Sequence, residues 1–318
     1  MKMSDKRKLI IDTDCGSDDA VAIAMAINDE NYEVILITTV CGNVPMKQAT
    51  ENTLTTLEKC GRYYPDVYEG CSEPLLKQWK GSLDTHGQDG MGDLGFHSSF
   101  LKAKEGHAVL KILAVLKNNP AKSIDIITLG PLTNLAMAIR LDRETVLRAR
   151  RVVAMASTGL GRGNVTPAAE FNVWQDAHAA AIVLNAGFDD LTFVGWDACL
   201  GDAILDEDEI AEIRNSSQLG KFCVDCNRVL MGLNKKRFGR DCLDMADPAA
   251  MAAALCPECI DRCERYHAEI DTSEGPSFGA VVLDYYGFTG KETNVSICSK
   301  LKSAEFKKYL FRTLGVKE

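Results

Sequence analysis

Residues 9–20, LIIDTDCGSDDA, decide the architecture of this chain. The apolar run at their start predicts a buried strand, and a helical pattern begins at Ala20. Four carboxylates lie at the junction of the two elements: Asp12, Asp14, Asp18 and Asp19. Burying an ionised carboxylate without a partner is strongly unfavourable, so this junction needs a cation, hydrogen-bond donors or protons.

A bound divalent metal ion is the simplest partner for these carboxylates. Calcium and magnesium prefer oxygen ligands, and Asp14 after the strand can face the same ion as Asp19 in the first helical turn. Ser17 suits the helix N-cap, and the helix dipole favours acids in the turn that follows. Helix capping explains only the two acids inside the helix, so we interpret the junction as a metal site.

Strands and helices alternate along the first two thirds of the chain. Predicted strands are 9–11, 34–40, 124–129, 152–156 and 191–195, and predicted helices are 19–29, 46–60, 131–140 and 176–186. Later elements are short strands at 266–270, 278–284 and 294–297, an apolar helix at 249–255 and a closing helix at 303–314. This order predicts a doubly wound α/β fold with a mostly parallel sheet. We expect a single domain over residues 1–318, with insertions at about 62–106 and 202–245.

Polar residues follow the carboxyl ends of the predicted strands, where ligands bind in this architecture. Asn43 follows the second strand, the segment 129–134 follows the third, and the loop 157–172 follows the fourth. The first insertion carries His86 in a His-Gly pair, and Asp247 lies at the start of the apolar helix. We expect these segments to converge on one site.

The composition restricts the partners and the compartment. The formal net charge is -9, and no cluster of basic and aromatic residues is present, which argues against nucleic-acid binding. The first apolar run is interrupted by Asp12 and is too short for a signal peptide or a membrane span. We therefore expect a cytoplasmic protein without membrane contact. Its 12 cysteines are expected to be reduced.

Two cysteine groups have the spacing of metal ligands. They are Cys223 with Cys226, and Cys256 with Cys259 and Cys263. Both pairs lie in segments with a helical pattern and without a glycine-rich knuckle. We interpret them as buried thiols rather than as a zinc or iron–sulfur site.

Residues 12–20, DTDCGSDDA, closely resemble the DxDxGxDDA signature of the inosine-uridine-preferring nucleoside hydrolases. Further matches to that family are GPLTN at 130–134, GNVTPAAEFN at 163–172 and the Asp-Pro pair that begins at Asp247. The resemblance spans nearly the whole chain. It implies a Ca²⁺ cofactor held by Asp14, Asp19, the main-chain oxygen of Leu129, and Asp247.

The resemblance also implies an activity and a substrate site. The activity is hydrolysis of the N-glycosidic bond of ribonucleosides, which releases free base and ribose through an oxocarbenium-like transition state. Asp14 would be the general base, with Asn43 and His86 also assigned to catalysis. Substrate contacts are assigned to Asp18, Asn43, His86, Asn164, Glu170, Phe171, Asn172 and Asp247. A homodimer or homotetramer is expected.

One position departs from the family pattern. Many members have a histidine before the Asp-Pro aspartate, where it can protonate the departing base, whereas this chain has Ala246. Candidates for leaving-group activation are His86, Trp79, Phe238 and Arg240. Three tryptophans are each interpreted as core residues: Trp79, Trp174 and Trp196. The base preference, purine or pyrimidine, stays open.

Two other functions are considered. A haloacid-dehalogenase-type phosphatase also begins with Asp-x-Asp after an apolar strand, but the residues after Asp14 do not fit its pattern. The downstream Asn and Glu motifs would also be unexplained. A calcium-dependent nucleoside- or ribose-binding protein without turnover is motivated by Ala246. Release of free base from a nucleoside would exclude both alternatives.

Overall fold

The computed structural model describes residues 6–316, so the ends of the predicted domain, 1–5 and 317–318, lie outside the described residues. Within this range the strands are β1 (Arg7–Thr13), β2 (Tyr32–Thr39), β3 (Asp66–Glu69), β4 (Ile124–Thr128), β5 (Arg151–Met155), β6 (Leu191–Val194), β7 (Ile260–Ile270), β8 (Val281–Asp284) and β9 (Val295–Leu301). They form one sheet in the order β3-β2-β1-β4-β5-β6-β9-β7-β8. Among these strands only the pairings of β7 with β8 and with β9 are antiparallel, so the sheet is mostly parallel, as predicted.

Helices cover both faces of the sheet, as a mostly parallel sheet requires. They are α1 (Ser17–Asn28), α2 (Met46–Cys60), α3 (Leu83–His86), α4 (Ala108–Asn118), α5 (Thr133–Val146), α6 (Phe171–Gln175), α7 (Ala177–Leu184), α8 (Glu207–Ser216), α9 (Gln218–Asp225), α10 (Arg228–Phe238), α11 (Ala246–Leu255) and α12 (Ser303–Leu314). One apolar core contains side chains of α1, α2, α11 and α12, and the second contains those of α4, α5 and α7. The fold is therefore doubly wound.

The order of the sheet reverses at its centre. From β1 the chain proceeds to β2 and β3 on one side, whereas β4, β5 and β6 lie on the other side. In such a sheet a crevice forms beyond the carboxyl ends of the two strands at which the order reverses. Here those strands are β1 and β4, which end at Thr13 and Thr128.

The sequence prediction finds most of these elements but omits β3, α3, α4 and α6. β3 has four residues and buries only Val67, so it shows no alternation that could reveal it. α4 buries Val109, Ile112 and Leu116 at helical spacing, a pattern that is visible in the sequence. β3 and α3 lie within the first insertion, 62–106, which is thus more regular than predicted, whereas α4 follows it.

The predicted N-cap of α1 is wrong by one residue. Gly16 is the N-cap, and its backbone N–H donates to Asp19 Oδ2 at 2.9 Å. Asp19, at the third helical position, therefore caps the helix from inside. Ser17 is the first helical residue, and its hydroxyl lies beside His86.

The second insertion is largely helical, as predicted, and contains α8, α9 and α10. All of the cysteines are free thiols. Among residues 6–316 the cysteines form no cluster of three or more potential metal ligands. Cys223, Cys226, Cys256 and Cys259 are buried, as interpreted, whereas Cys263 is exposed on β7. None of the described helices combines the length and the apolar character that crossing a bilayer requires.

Candidate active site

A cavity of about 300 Å³ opens where the loops after the parallel strands meet. Its walls include Asp18, Asn43, His86, Leu129, Asn164, Glu170, Phe171, Asn172 and Asp247. These are all of the predicted site residues except Asp14 and Asp19, which are fully buried. Segments that are far apart in sequence thus converge, as the strand ends predict.

Three carboxylates form a compact group in this site. One oxygen from each of Asp18, Asp19 and Asp247 lies within 4.8 Å of the other two, and all three residues are buried. The first turn of α1 supplies two of them and the first turn of α11 supplies the third. Helix N-termini favour negative charge, so the two helices together stabilise this group.

Asp14 occupies a tight position close to the group. Its Oδ2 accepts a hydrogen bond from the backbone N–H of Asn43 at 2.6 Å, and its Oδ1 is buried without a hydrogen-bond partner. A Cβ atom at Gly130 would lie 2.7 Å from Oδ1, and one at Gly42 would clash with Oδ2. These two glycines, after β4 and β2, therefore provide the space that Asp14 needs.

Hydrogen bonds to three donors fix the carboxylate of Asp19. The hydroxyl of Thr13 donates to Oδ1 at 2.5 Å. The backbone N–H of Gly16 and the Nδ2 of Asn43 donate to Oδ2 at 2.9 and 3.2 Å. These bonds hold the carboxylate in one orientation at the first turn of α1.

Burial and neighbouring carboxylates disfavour the ionised forms of Asp14, Asp18 and Asp247 when no cation is bound. Burial and the neighbouring negative charges raise the pKa of Asp14 and Asp247, and they raise the pKa of Asp18 to about 7. A bound divalent cation reverses this effect because it favours the ionised form. The ligand set consists of oxygen atoms, including the partnerless Asp14 Oδ1, and therefore fits Ca²⁺ or Mg²⁺.

Asp12 has a structural role outside this group. Its Oδ1 accepts hydrogen bonds from the Thr38 hydroxyl at 2.5 Å and from Asn134 Nδ2 at 2.8 Å, and burial raises its pKa to about 7. Asn134 also donates to the Thr39 carbonyl at 2.9 Å and accepts from the Cys71 N–H at 2.8 Å. Asp12 thus ties β1, β2 and α5 together beneath the site.

The loop after β5 gives the cavity a second polar wall. Glu170 is the N-cap of α6 and accepts hydrogen bonds from the N–H groups of Asn172 and Val173 at 2.9 and 3.3 Å. Burial raises the pKa of Glu170 to about 8. Asn164 Oδ1 accepts from the N–H of Phe171 at 2.9 Å, which folds this loop back onto itself.

Asn172 connects this wall to the strand ends. Its Nδ2 donates to the carbonyl oxygen of Leu129 at 2.6 Å and to that of Met155 at 3.1 Å. A carbonyl oxygen has two lone pairs, so the Leu129 oxygen can accept this bond and still bind a metal ion.

His86 packs against the start of α1 as a neutral imidazole. The backbone N–H of Ser17 donates to His86 Nδ1 at 3.3 Å, and the Ser17 hydroxyl lies 2.8 Å from the same nitrogen. Since a backbone N–H can only donate, Nδ1 is the acceptor and Nε2 carries the proton. Burial lowers the pKa of His86 to about 4. His86 can therefore donate a hydrogen bond into the cavity at neutral pH, but it is not protonated to act as an acid.

Ala246, directly before Asp247, lines the cavity. Because its side chain is a methyl group, this position provides no functional group. Three of the predicted leaving-group candidates, Trp79, Phe238 and Arg240, all within the described part of the chain, are not among the lining residues. Trp79 instead donates to the carbonyl of Gly42 at 2.8 Å.

Sequence reasoning gives no site role to Trp174, Trp196, Arg237 and Asp244, which are among the residues that line the cavity. Trp196 packs against an apolar core, as interpreted, and also borders the cavity. Trp79 and Trp174 belong to neither apolar core, so the core interpretation is wrong for both. The guanidinium of Arg237 lies 5.5 Å from the centre of the Trp196 ring. Arg237 has no local sequence signal, whereas Asp244 has one, since it lies three residues before Asp247.

The fold and the site define a class first: a doubly wound α/β protein with an acidic, cation-binding cavity at the point where the strand order reverses. The family model of the inosine-uridine preferring nucleoside hydrolases matches residues 9–308. The chain therefore belongs to this family and is an enzyme that hydrolyses the N-glycosidic bond of ribonucleosides. The resemblance seen in the sequence is confirmed, and the phosphatase alternative is wrong.

Several relatives cover almost the whole chain. It is 38% identical over 308 residues to an inosine-uridine preferring nucleoside hydrolase of Leishmania major, covering 94% of this chain and 95% of that protein. It is 30% identical over 294 residues to the pyrimidine-specific ribonucleoside hydrolase RihB of Escherichia coli, covering 92% of each.

Solved structures agree with this assignment. The plant nucleoside hydrolase PpNRh1 superimposes with a TM-score of 0.90 at 27% identity, covering 98% of this chain and 99% of that one. A purine-preferring ribonucleoside hydrolase from Gardnerella vaginalis gives a TM-score of 0.88 at 27% identity, covering 98% and 100%. These relatives differ in the base they prefer, so the family alone leaves the base preference of this chain open.

Proposed function

We propose that this ribonucleoside hydrolase depends on Ca²⁺. The ligands would be the carboxylates of Asp14, Asp19 and Asp247 and the main-chain oxygen of Leu129. The observation that carries the proposal is the group of buried carboxylate oxygens within 4.8 Å of one another at two helix N-termini. Asp14 adds a buried oxygen that has no other partner. Asp18 belongs to the same group, but it lines the cavity and is assigned to the substrate.

The residues of the site divide the chemistry between them. When bound, Ca²⁺ supplies a Lewis acid that polarises a water molecule. Asp14 accepts a proton from the attacking water as general base, and its bond from the Asn43 N–H fixes its orientation. The surrounding carboxylates stabilise the positive charge that develops on the sugar in the oxocarbenium-like transition state.

The two polar walls of the cavity would hold the ribose. Asp18, Asn172 and Asp247 would bind its 2'- and 3'-hydroxyls, with Asn43 and the Nε2 proton of His86 contributing further hydrogen bonds. Asn164, Glu170 and Phe171 would enclose its 5'-hydroxyl. Because Asp18, Asn172 and Asp247 are buried, a sugar lacking the 2'- or 3'-hydroxyl would leave their polar atoms unpaired. We therefore expect rejection of 2'-deoxynucleosides.

Calcium titration of the chelator-treated enzyme tests the metal proposal. Base release from inosine and uridine should disappear after chelation and return with Ca²⁺, and calorimetry should show a calcium site that Asp19→Asn weakens at least about tenfold. Asp241→Asn is the matched control, because Asp241 is exposed and pairs only with Lys235 at 2.7 Å. Undiminished turnover after exhaustive chelation would contradict the proposal.

Two further features of the protein are proposals of the same kind. The free thiols of its cysteines support a cytoplasmic location. Likeness to the family supports assembly as a homodimer or homotetramer, for which light scattering should give two or four times the chain mass of 34.8 kDa.

A further inference from the structure

The cavity contains a buried carboxyl group to which neither the family signature nor the proposed metal site assigns a role. Asp244 lines the cavity and is only 4% exposed. It lies in the connection between α10 and α11, directly after Leu243, whose backbone exchanges hydrogen bonds with Leu205 at 2.9 and 3.0 Å. This bridge holds the connection in place, so Asp244 enters the cavity from a fixed backbone.

The two oxygens of Asp244 have different surroundings. Oδ1 accepts a hydrogen bond from the Nδ2 of Asn234 at 2.6 Å, and Asn234 is itself completely buried. Oδ2 lies 3.9 Å from the guanidinium of Arg237, which is too far for a hydrogen bond. Oδ2 is therefore available to a ligand in the cavity.

The environment of Asp244 favours its protonated form. Burial raises its pKa, against the opposing effects of Asn234 and Arg237. The titratable groups that face it are Arg237 from α10, Asp18 from α1, Cys199 after β6 and its own neighbour Cys242.

Two other polar groups of the cavity, His86 and Arg237, are poor proton donors for a departing base, and Asp18 and Glu170 are assigned to the sugar. His86 is neutral because its pKa is lowered to about 4, and a guanidinium such as that of Arg237 does not release its proton. Ala246 has no functional group at the position where many family members have a histidine.

We propose that Asp244 is the general acid that protonates the departing nucleobase in place of that histidine. This inference rests on the proposed function. The C1'–N bond breaks, and its electron pair goes to the base, which takes the proton from Asp244 Oδ2. The water oxygen bonds to C1' and its proton goes to Asp14. The products are the neutral base and ribose, and solvent carries the proton from Asp14 back to Asp244.

The test compares substrates that differ in their need for an acid. In Asp244→Asn the side-chain oxygen can still accept from Asn234, but no proton is available. Turnover of inosine and uridine should fall about 10²–10⁴-fold, the usual contribution of general acid catalysis. Turnover of p-nitrophenyl riboside should be nearly unchanged, since p-nitrophenolate leaves without a proton. Asp241→Asn, the same change on an exposed residue of the same connection, should leave both substrates unaffected.

A second substitution sharpens the result. Adding Ala246→His to Asp244→Asn should restore part of the inosine turnover, because it places a new acid beside the base. An equal loss on both substrates would show a structural role for Asp244, and no loss on either would place the acid elsewhere. Either outcome overturns the inference. Loss of wild-type base release on chelation and its return with Ca²⁺ test the proposed function separately.

A measurement on the wild-type enzyme covers the case in which Asp244→Asn does not fold. The pH profile of turnover for inosine should contain a limb on which activity falls as pH rises and the acid loses its proton. The profile for p-nitrophenyl riboside should lack that limb. Identical profiles for the two substrates would overturn the inference.

Discussion

The two ends of the cavity are built differently. At the metal end, formed by Asp14, Asp18, Asp19 and Asp247, backbone and side-chain donors fix the carboxylates and glycines shape the space around them. The base end is formed by Trp196, Arg237, Asp244 and Ala246. There Ala246 has no functional group, and the guanidinium of Arg237 lies 3.9 Å from the carboxylate of Asp244. The proposed function assigns the rigid end to the ribose and the attacking water, which are common to all ribonucleoside substrates. We therefore expect differences between bases to be decided at the other end.

Asp14→Ala should have the largest effect on turnover, and it should lower the turnover of all substrates alike because it acts at the metal end. We expect kcat to fall at least about 10³-fold on both inosine and uridine, because the general base and a metal ligand are lost together. Thermal unfolding should show an intact fold, since the change removes a buried carboxylate from among like charges. Near-normal turnover, or a loss confined to one base, would contradict the role of Asp14.

Glu170→Gln should have an intermediate effect, on stability rather than on base choice. Burial raises the pKa of Glu170 from 4.5 to about 8, so the folded state holds its proton more tightly than the unfolded state. The resulting stability is complete below pH 4.5 and is lost as pH rises through about 8, at about 1.4 kcal/mol for each unit of pKa difference.

Urea unfolding at pH 5 and pH 8 checks this prediction. The free energy of unfolding should decline less between these pH values in Glu170→Gln than in the wild type. Glu212→Gln, an exposed change on α8, should follow the wild type. A decline of the same size in Glu170→Gln and the wild type would show that Glu170 is ionised in the folded protein.

Trp196→Ala should have the smallest effect and should act at the base end alone. Loss of an aromatic face is worth about 0.5–1.5 kcal/mol, so kcat/KM for the preferred base should fall about two- to tenfold. The loss should be greater for inosine than for uridine, because a purine offers more surface for stacking. Inhibition by ribose should not change. An equal loss for both nucleosides, together with weaker ribose inhibition, would place Trp196 at the sugar instead.

The same contrast explains what could be predicted from the sequence. The strand–helix alternation and the acid cluster at 12–19 predict the doubly wound fold and the metal end, because local patterns determine both. The structural role of Asp12 could not be predicted from the sequence, because its partners Thr38 and Asn134 come close only when β2 and α5 pack beside β1.

The base end could not be predicted in the same way. Arg237 lies at the end of a helix among other exposed charges, and only the path of the chain after α10 brings it to the cavity. Trp196 packs on the core with one face and borders the cavity with the other, so composition alone suggests a core residue. β3 is too short for a periodic pattern.

The location of Asp19 near the start of the chain and of Asp247 near its end has a consequence for biosynthesis. A ribosome releases the first of these residues long before the second, so a nascent chain cannot complete the ion cage until α11 has emerged. The proposed Ca²⁺ would therefore bind only after α11 has joined the fold, and its binding free energy would be added at that stage. The proposed ion would thus connect the N-termini of two helices that are synthesised far apart in time.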